Sequence, residues 1–497
     1  MASLNQKTKT NHKSVTRNSF LFFIAQGLAA VFTFTSTVLI ARIAGPYVTG
    51  QYSYLVWLCT TLATLAALGV PTALTKYIAE YSENGRKLIV GQLTGNLLML
   101  SFLSSILAAS ILCILAYTGV LPRNISHAEY FLIALTIPVN VIGNSIISIF
   151  KGNHRFGELV KASLLSSPLV LVSVLIILRI NSHLHGLITY YLISSALTSL
   201  AYAIFIIKKF NISFQRLSRK ISGPVFQYIA IVSGILVLDQ IVWDRSEVLF
   251  LGHYSSPQQV AIYTIPYTLI NSVMMIIPGS ILGSLLPHIS ALHGGKNNDS
   301  IALSYNISSR YIGFIVAILV GGGIALATPF IFTFYGSQYA DMVPVFRILM
   351  LTEGWAVIGS ITSTVIYATT KQSFIFKTGV ILSIINILAD LMIIPRYGAI
   401  GAALANGIAQ FGGVLTGIYF LTKNGIAFPI YTYLKIIALT IVCSICTLEL
   451  IKYFDTNNLV RLITGATFYL ITFASAVLYL HLIELPFNFR NIFKKIV

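Results

Sequence analysis

Three carboxylates stand inside long apolar runs: Asp239 in GILVLDQIVWDRSEVLFLG, Glu353 in LMLTEGWAVIG and Asp390 in INILADLMIIP. An ionised side chain is costly in hydrocarbon, so such a group normally faces a cavity or a partner. An ion-coupled carrier needs a group of this kind, because a change in its charge can favour one state over another. A proton would serve, or sodium where oxygens converge. Pairing with a cation to fix helix contacts is the other role open to all three. On a helix Asp239, Trp243 and Ser246 share one face, with Glu247 at its edge. Four cations, Lys76, Arg245, Arg310 and Lys377, also stand within or beside apolar runs. Each could face a cavity or extend its head to the membrane interface.

Other familiar chemistry is missing. No Gly-rich loop ends in Gly-Lys-Ser/Thr, and the nine His residues show no HExxH or comparable ligand spacing. We therefore expect no metal, no organic cofactor and no enzymatic activity. Gly321-Gly322-Gly323 lies within an apolar run and reads as a helix-packing element. Cys443-x-x-Cys446 has redox spacing, but within a membrane helix it reads as packing. Helix breakers are more informative. Gly69 and Pro71 interrupt one apolar run, and Pro266 and then Pro278 with Gly279 interrupt another. Proline removes a backbone hydrogen bond, so Gly69, Pro71, Pro278 and Gly279 are candidate bending points, with static curvature as the alternative.

The elements that must position these residues are transmembrane helices. The chain is 56% hydrophobic and 9% charged, against roughly 25% charged residues in a soluble domain. The pattern predicts an all-α polytopic membrane protein of about fourteen spans, each near the ~20 residues a helix needs to cross. The spans fall near 18–43, 51–79, 90–117, 129–150, 160–179 and 185–207. After the polar break KKFNISFQRLSRKISGP they continue near 225–251, 258–286, 309–334, 342–369, 374–395 and 398–422, then 430–451 and 460–482. HISALHGGKNNDS is the other long polar segment and reads as a loop. The opening residues are polar and basic, and the apolar run after them is too long for a signal peptide.

With the N-terminus inside, 24 of the 32 Lys and Arg fall on the inner side. The outer side keeps Arg42, Arg123, Arg179, Arg245, Arg347, Arg396, Lys452 and Arg461. That bias predicts cytoplasmic termini, and it assigns the net charge of +18 to topology and not to nucleic acid. A weak repeat pairs VLIARIAGPYVTGQYSYLV with VLFLGHYSSPQQVAIYTIPY, and SIISIFKGNHRFGELVKASLL with TSTVIYATTKQSFIFKTGVIL. The expected organisation is a tail (1–17), a six-helix bundle (18–207), a linker (208–224), a pseudo-repeated six-helix bundle (225–422), an appended helix pair (423–482) and a second tail (483–497). Repeats of this kind recur in carriers that rock two halves about a central site. No loop is long enough for a catalytic domain outside the membrane.

Several of these stretches resemble the polysaccharide flippases (Wzx-type) of the multidrug/oligosaccharidyl-lipid/polysaccharide exporter superfamily. ARIAGPYVTGQYSYL is similar to their first-loop pattern and ALGVPTALTKYIAEY to their second helix. WDRSEVLFLGHYSSPQQVAIY resembles the seventh-to-eighth join. IINILADLMIIPRYGAIGAALANGIAQF resembles the eleventh and twelfth helices, with Asn386, Pro395, Gly398, Gly401, Ala402 and Ala403 on the pattern. The first loop departs from the arginine-rich pattern of lipid II flippases.

The resemblance implies a carrier in the bacterial inner membrane that moves polyprenyl-diphosphate-linked oligosaccharide to the outer leaflet. It also implies the polysaccharide polymerase machinery as a partner, and a positive cavity for the diphosphate, for which Lys76, Arg245, Arg310 and Lys377 are the candidates. Asp239, Glu353 and Asp390 are then the candidates for proton or sodium coupling. An ion-coupled small-solute or drug antiporter of the same superfamily is the alternative. Isolated acids within the first six spans would favour it, and none lies at their midpoints.

Overall fold

No water inside a bilayer satisfies a backbone N–H or C=O, so an apolar chain must close its hydrogen bonds within helices. The computed structural model describes residues 2–207, 212–215, 217–242, 246–295, 297–369, 372–454 and 457–480. Within its helices the side chains of 2–26, 28, 206, 207, 235, 238, 239, 241, 242, 275–284 and 372 fall outside that description. The described residues form fifteen α-helices and no strand. Ten helical segments among them are long and apolar enough to cross a membrane. One of these, Ser373–Lys423, has 51 residues and is broken at Gly398. Each half is about 37 Å long at 1.5 Å per residue, enough for a ~30 Å crossing of its own.

The chain divides into two compact units, Met1–Thr264 and Ile265–Val497. The first holds α1 (Ala2–Ala66), α2 (Val70–Glu83), α3 (Lys87–Thr118), α4 (His127–Ala134), α5 (Thr136–Gly152), α6 (Phe156–Ile180), α7 (Leu184–Ile207), α8 (Arg219–Val242), α9 (Ser246–Tyr254) and the start of α10 (Pro257–Gly294). Lipid tails are as apolar as leucine, so helix association here rests on close packing and on polar contacts between helices. The first-loop pattern supplies both. Gly45 breaks α1 at φ 77° and Pro46 follows it. A Cβ on Gly50 would overlap the carbonyl of Pro257, and one on Gly252 would meet the ring of Tyr54. Gln51 Nε2 donates to the Asn124 carbonyl at 2.6 Å.

A run expected to be one span, 51–79, is divided. α1 ends at Ala66, Leu68 and Gly69 take positive φ, and Pro71 lies in the first turn of α2. A Cβ on Gly69 would stand 2.8 Å from Val232 Cγ1 on α8. α10, in contrast, is continuous through Pro266, Pro278 and Gly279. The polar break differs from a free loop as well. Residues 208–211 and 216 lie outside the described part, and Arg219 already begins α8. Between them the chain is tied to α3: Ser213 N–H donates to Gly91 O at 3.0 Å and Asn96 Nδ2 to Gln215 O at 2.8 Å.

The second unit holds the rest of α10, α11 (Asn298–Phe334), α12 (Met342–Ala368), α13 (Gln372–Lys423), α14 (Ile430–Lys452) and α15 (Asn458–Tyr479). HISALHGGKNNDS is mostly helical, which corrects its reading as a loop. α10 and α11 have 38 and 37 residues, about 57 and 55 Å, so both outrun the hydrocarbon and their polar ends stay helical. α14 and α15 are fastened to α11 by three hydroxyls that donate to its carbonyls. Tyr433 reaches Ser309 O at 2.7 Å, Ser444 reaches Gly321 O at 3.1 Å, and Tyr469 reaches Ala317 O at 2.9 Å. Cys443 is buried there beside Phe314, Tyr469 and Phe473, while Cys446 is exposed, and both are free thiols.

Candidate functional site

Small residues set the register of three helical segments in the second unit. A Cβ on Gly407 would meet Thr352, one on Gly359 would meet Val414, and one on Gly417 would meet Thr362. The two series rise together, so α12 and the second half of α13 run parallel. The two halves of α13 fold back on each other. Phe374 stacks on Phe420 with centroids 3.9 Å apart, Leu382 covers Gly412 and Gly413, and Ile393 and Ile394 press on Gly401. On these registers Glu353 and Asn386 lie level with each other, Asn406 half a turn away, and Asp390 one turn beyond Asn386 on the same face. All four are buried, Asp390 completely. The arrangement places two carboxylates and two amides among glycines and aliphatic side chains. That donor set is suited to exchanging a proton or holding a small cation.

Beside these helices runs an apolar groove of about 480 Å³ between α11, α12, α14 and the second half of α13. Val316, Val320, Trp355, Phe411, Ile437 and Ile441 are among its lining residues. Trp355 and Phe411 stack at 5.1 Å. Along α14 the groove extends from Tyr433 to Leu448, a rise of about 22 Å.

In the first unit Lys76 is exposed on α2, its ammonium 4.1 Å from the ring centroid of Tyr228 and 4.9 Å from that of Tyr77. Arg310 and Lys377 are exposed on α11 and α13 of the second unit, and neither lines the groove. Arg245 lies outside the described residues. So does the Asp239 side chain, although its backbone belongs to α8. The helix registers set Glu353 and Asp390 about one turn apart in level, both buried in the second unit. Glu353 is central in α12, whereas Asp390 lies eight residues before the Gly398 break. Asn406, Tyr228 and the groove were missed by sequence reasoning, and Asn386 was marked only by the family pattern. An amide inside an apolar run gives a much weaker signal than a carboxylate.

A family model described as "Polysaccharide biosynthesis protein" matches residues 15–293, more than half of the chain. The chain belongs to the polysaccharide biosynthesis protein family. Membership bears out the resemblance drawn from its motifs and makes this a multi-pass membrane protein. The model "Lipid II flippase MurJ" matches residues 251–471 of this family member. The "Probable flippase AglR" of Haloferax volcanii is 22% identical over 335 residues, which are 64% of this chain and 66%, just under two thirds, of that protein. A solved structure of "Lipid II flippase MurJ, inward closed conformation" has a TM-score of 0.69 at 21% identity, covering 94% of this chain and 100% of that one. An inward-facing multidrug resistance MATE family transporter of the MOP superfamily has a TM-score of 0.62 at 18% identity, covering 80% and 95%. At these identities the likeness to both solved structures is one of fold.

Proposed function

We propose that this protein flips a polyprenyl-diphosphate-linked oligosaccharide from the inner to the outer leaflet of the cytoplasmic membrane, by alternating access. The product would feed surface polysaccharide synthesis, such as O-antigen or exopolysaccharide, and pass to a polysaccharide polymerase. The apolar groove beside α14 carries this reading. About 22 Å of aliphatic and aromatic lining suits a linear isoprenoid chain, in a member of a polysaccharide biosynthesis family. The diphosphate would meet cations, for which Lys76, Arg245, Arg310 and Lys377 are the candidates. Asp239, Glu353 and Asp390 would couple the cycle to protons or sodium, and Gly69, Pro71, Pro278 and Gly279 would absorb bending. The two six-helix bundles, 18–207 and 225–422, would rock about a central site, with 423–482 as an accessory pair and both termini cytoplasmic. No metal, organic cofactor, nucleic acid or catalytic step enters the scheme.

The test is reconstitution of the whole chain in proteoliposomes with a fluorescent lipid-linked oligosaccharide. Flipping should occur, and Thr440→Trp, which fills the groove, should slow it. Absence of flipping by protein shown to be folded refutes the proposal. The second reading, an ion-coupled antiporter of small solutes or drugs, is favoured by the buried Glu353 and Asp390. It prevails if a deletion strain lacking paralogues exports polymer normally while its resistance to cationic drugs falls.

A further inference from the structure

α2 and α8 meet in the first unit at a group of tyrosines that carries one lysine. The rings of Tyr77 and Tyr228 meet edge to face with centroids 5.6 Å apart, and Tyr81 stacks on Tyr77 at 6.4 Å. Tyr77 is buried, and its hydroxyl donates to the Pro224 carbonyl near the start of α8 at 3.3 Å. The ring wall is therefore fixed to both helices. The exposed Lys76 ammonium rests on it, 4.1 Å from the Tyr228 centroid. Glu80 stands one turn further along α2, where a lysine could pair with it, yet the ammonium is directed at the rings.

We propose that Tyr228 is the positioning residue for Lys76, holding its ammonium in place to receive the diphosphate of the lipid-linked substrate. This rests on the flippase reading. The argument turns on what kind of partner orients a cation. A carboxylate would fix the ammonium but also neutralise it, and the substrate would have to displace that partner. An aromatic face attracts the cation through its quadrupole and leaves the full charge available. The N–H bonds directed away from the ring stay free for phosphate oxygens. The lysine stem has four carbons and much rotamer freedom. A ring that holds it beforehand removes ordering cost from the binding step.

The full chain in nanodiscs, titrated with farnesyl diphosphate and with farnesol as the neutral control, tests this. Lys76→Gln should weaken binding of the diphosphate about tenfold or more, as loss of a charged hydrogen bond does. Tyr228→Leu should weaken it about three- to tenfold, Tyr228→Phe should bind as the parent does, and farnesol should respond to none of them. In the Lys76→Gln background Tyr228→Leu should add nothing. Fluorinated phenylalanines at position 228 drain the ring face at nearly constant volume, so they decide the matter even if the leucine variant folds poorly. Affinity should fall stepwise with each fluorine. Affinity indifferent to fluorination, or equal losses from Tyr228→Leu with and without Lys76, would overturn the positioning role alone. Unchanged affinity in Lys76→Gln would show instead that Lys76 does not bind the diphosphate, and the inference would fall with that assignment.

Discussion

Three hydroxyls tie α14 and α15 to α11, two of them on the groove-lining residues Tyr433 and Ser444, and their removal can be worked through in magnitude. Tyr433→Phe, Ser444→Ala and Tyr469→Phe each delete one hydrogen bond, of 2.7, 3.1 and 2.9 Å, and leave the packing almost unchanged. The acceptors Ser309 O, Ala317 O and Gly321 O lie within α11, so each also accepts from the N–H four residues on and none is left wholly unsatisfied. The cost per bond should therefore sit near the ~0.6 kcal/mol average for interhelical bonds in membranes and not at the ~1.7 kcal/mol maximum. Ser309 and Ala317 are about 12 Å apart along α11, far enough to act independently, while Ala317 and Gly321 are about 6 Å apart, close enough to couple. The triple variant should lose roughly 2 kcal/mol. Gly321→Val is the contrasting case. Its Cβ would strike the Tyr469 hydroxyl and stand 2.6 Å from Thr440 Cγ2, an overpacking of about 1–3 kcal/mol from one residue. Unfolding by steric trapping in bicelles measures both. In the same triple variant the groove wall is looser, so the KM for lipid-linked oligosaccharide should rise more than kcat falls. A triple variant as stable as the parent, or one destabilised by more than about 5 kcal/mol, would refute the assignment of these bonds.

Replacing Asp239 by Asn, Glu353 by Gln and Asp390 by Asn should leave membrane abundance normal, and at least one of the three should lose the dependence of flipping on pH or sodium. Full activity with unchanged ion dependence in all three would leave passive facilitation as the account. Gly50→Val should cut abundance sharply, because its Cβ would overlap the Pro257 carbonyl and backbone cannot yield as a side chain can. Normal levels of folded Gly50→Val would mean that this contact does not exist. Cysteine labelling should place a tag before Met1, a tag after Val497 and the 208–224 segment in the cytoplasm. Labelling from outside the cell would reverse the orientation read from the charge bias.

The all-helical membrane fold was legible because it needs only long apolar runs and punctuation. Gly45-Pro46 and Pro395 with Gly398 are punctuation of that kind, and both sit at real breaks. Leu68 is not. A leucine at φ 49° is a conformation its side chain disfavours, so Gly69 and Pro71 marked an interruption here but not that α1 already ends at Ala66. The ends of α10 and α11 were misread for the opposite reason. His, Asn, Ser and Lys signal loops only where a helix has no cause to continue into water. The groove was invisible because Val316, Val320, Ile437 and Ile441 are residues any span might carry. The void between them depends on how four segments pack.

The same limit explains why the buried polar group was half legible. Glu353 and Asp390 stand out singly because a charge at a helix centre costs about 2.5–3.5 kcal/mol on insertion scales. Sequence cannot say whether two such charges are neighbours. Glycines at 359, 407 and 417 let α12 approach the second half of α13, and glycines at 401, 412 and 413 let the two halves of α13 fold together. These close contacts bring Asn386 and Asn406 to the level of the carboxylates. Glycine in a helix interior costs roughly 0.5–1 kcal/mol each relative to alanine, so close approach here is itself costly. An apolar interface of alanines would pack these helices without either the glycines or the buried acids. The Glu353 and Asp390 substitutions above test whether these buried acids serve ion coupling or only helix contact.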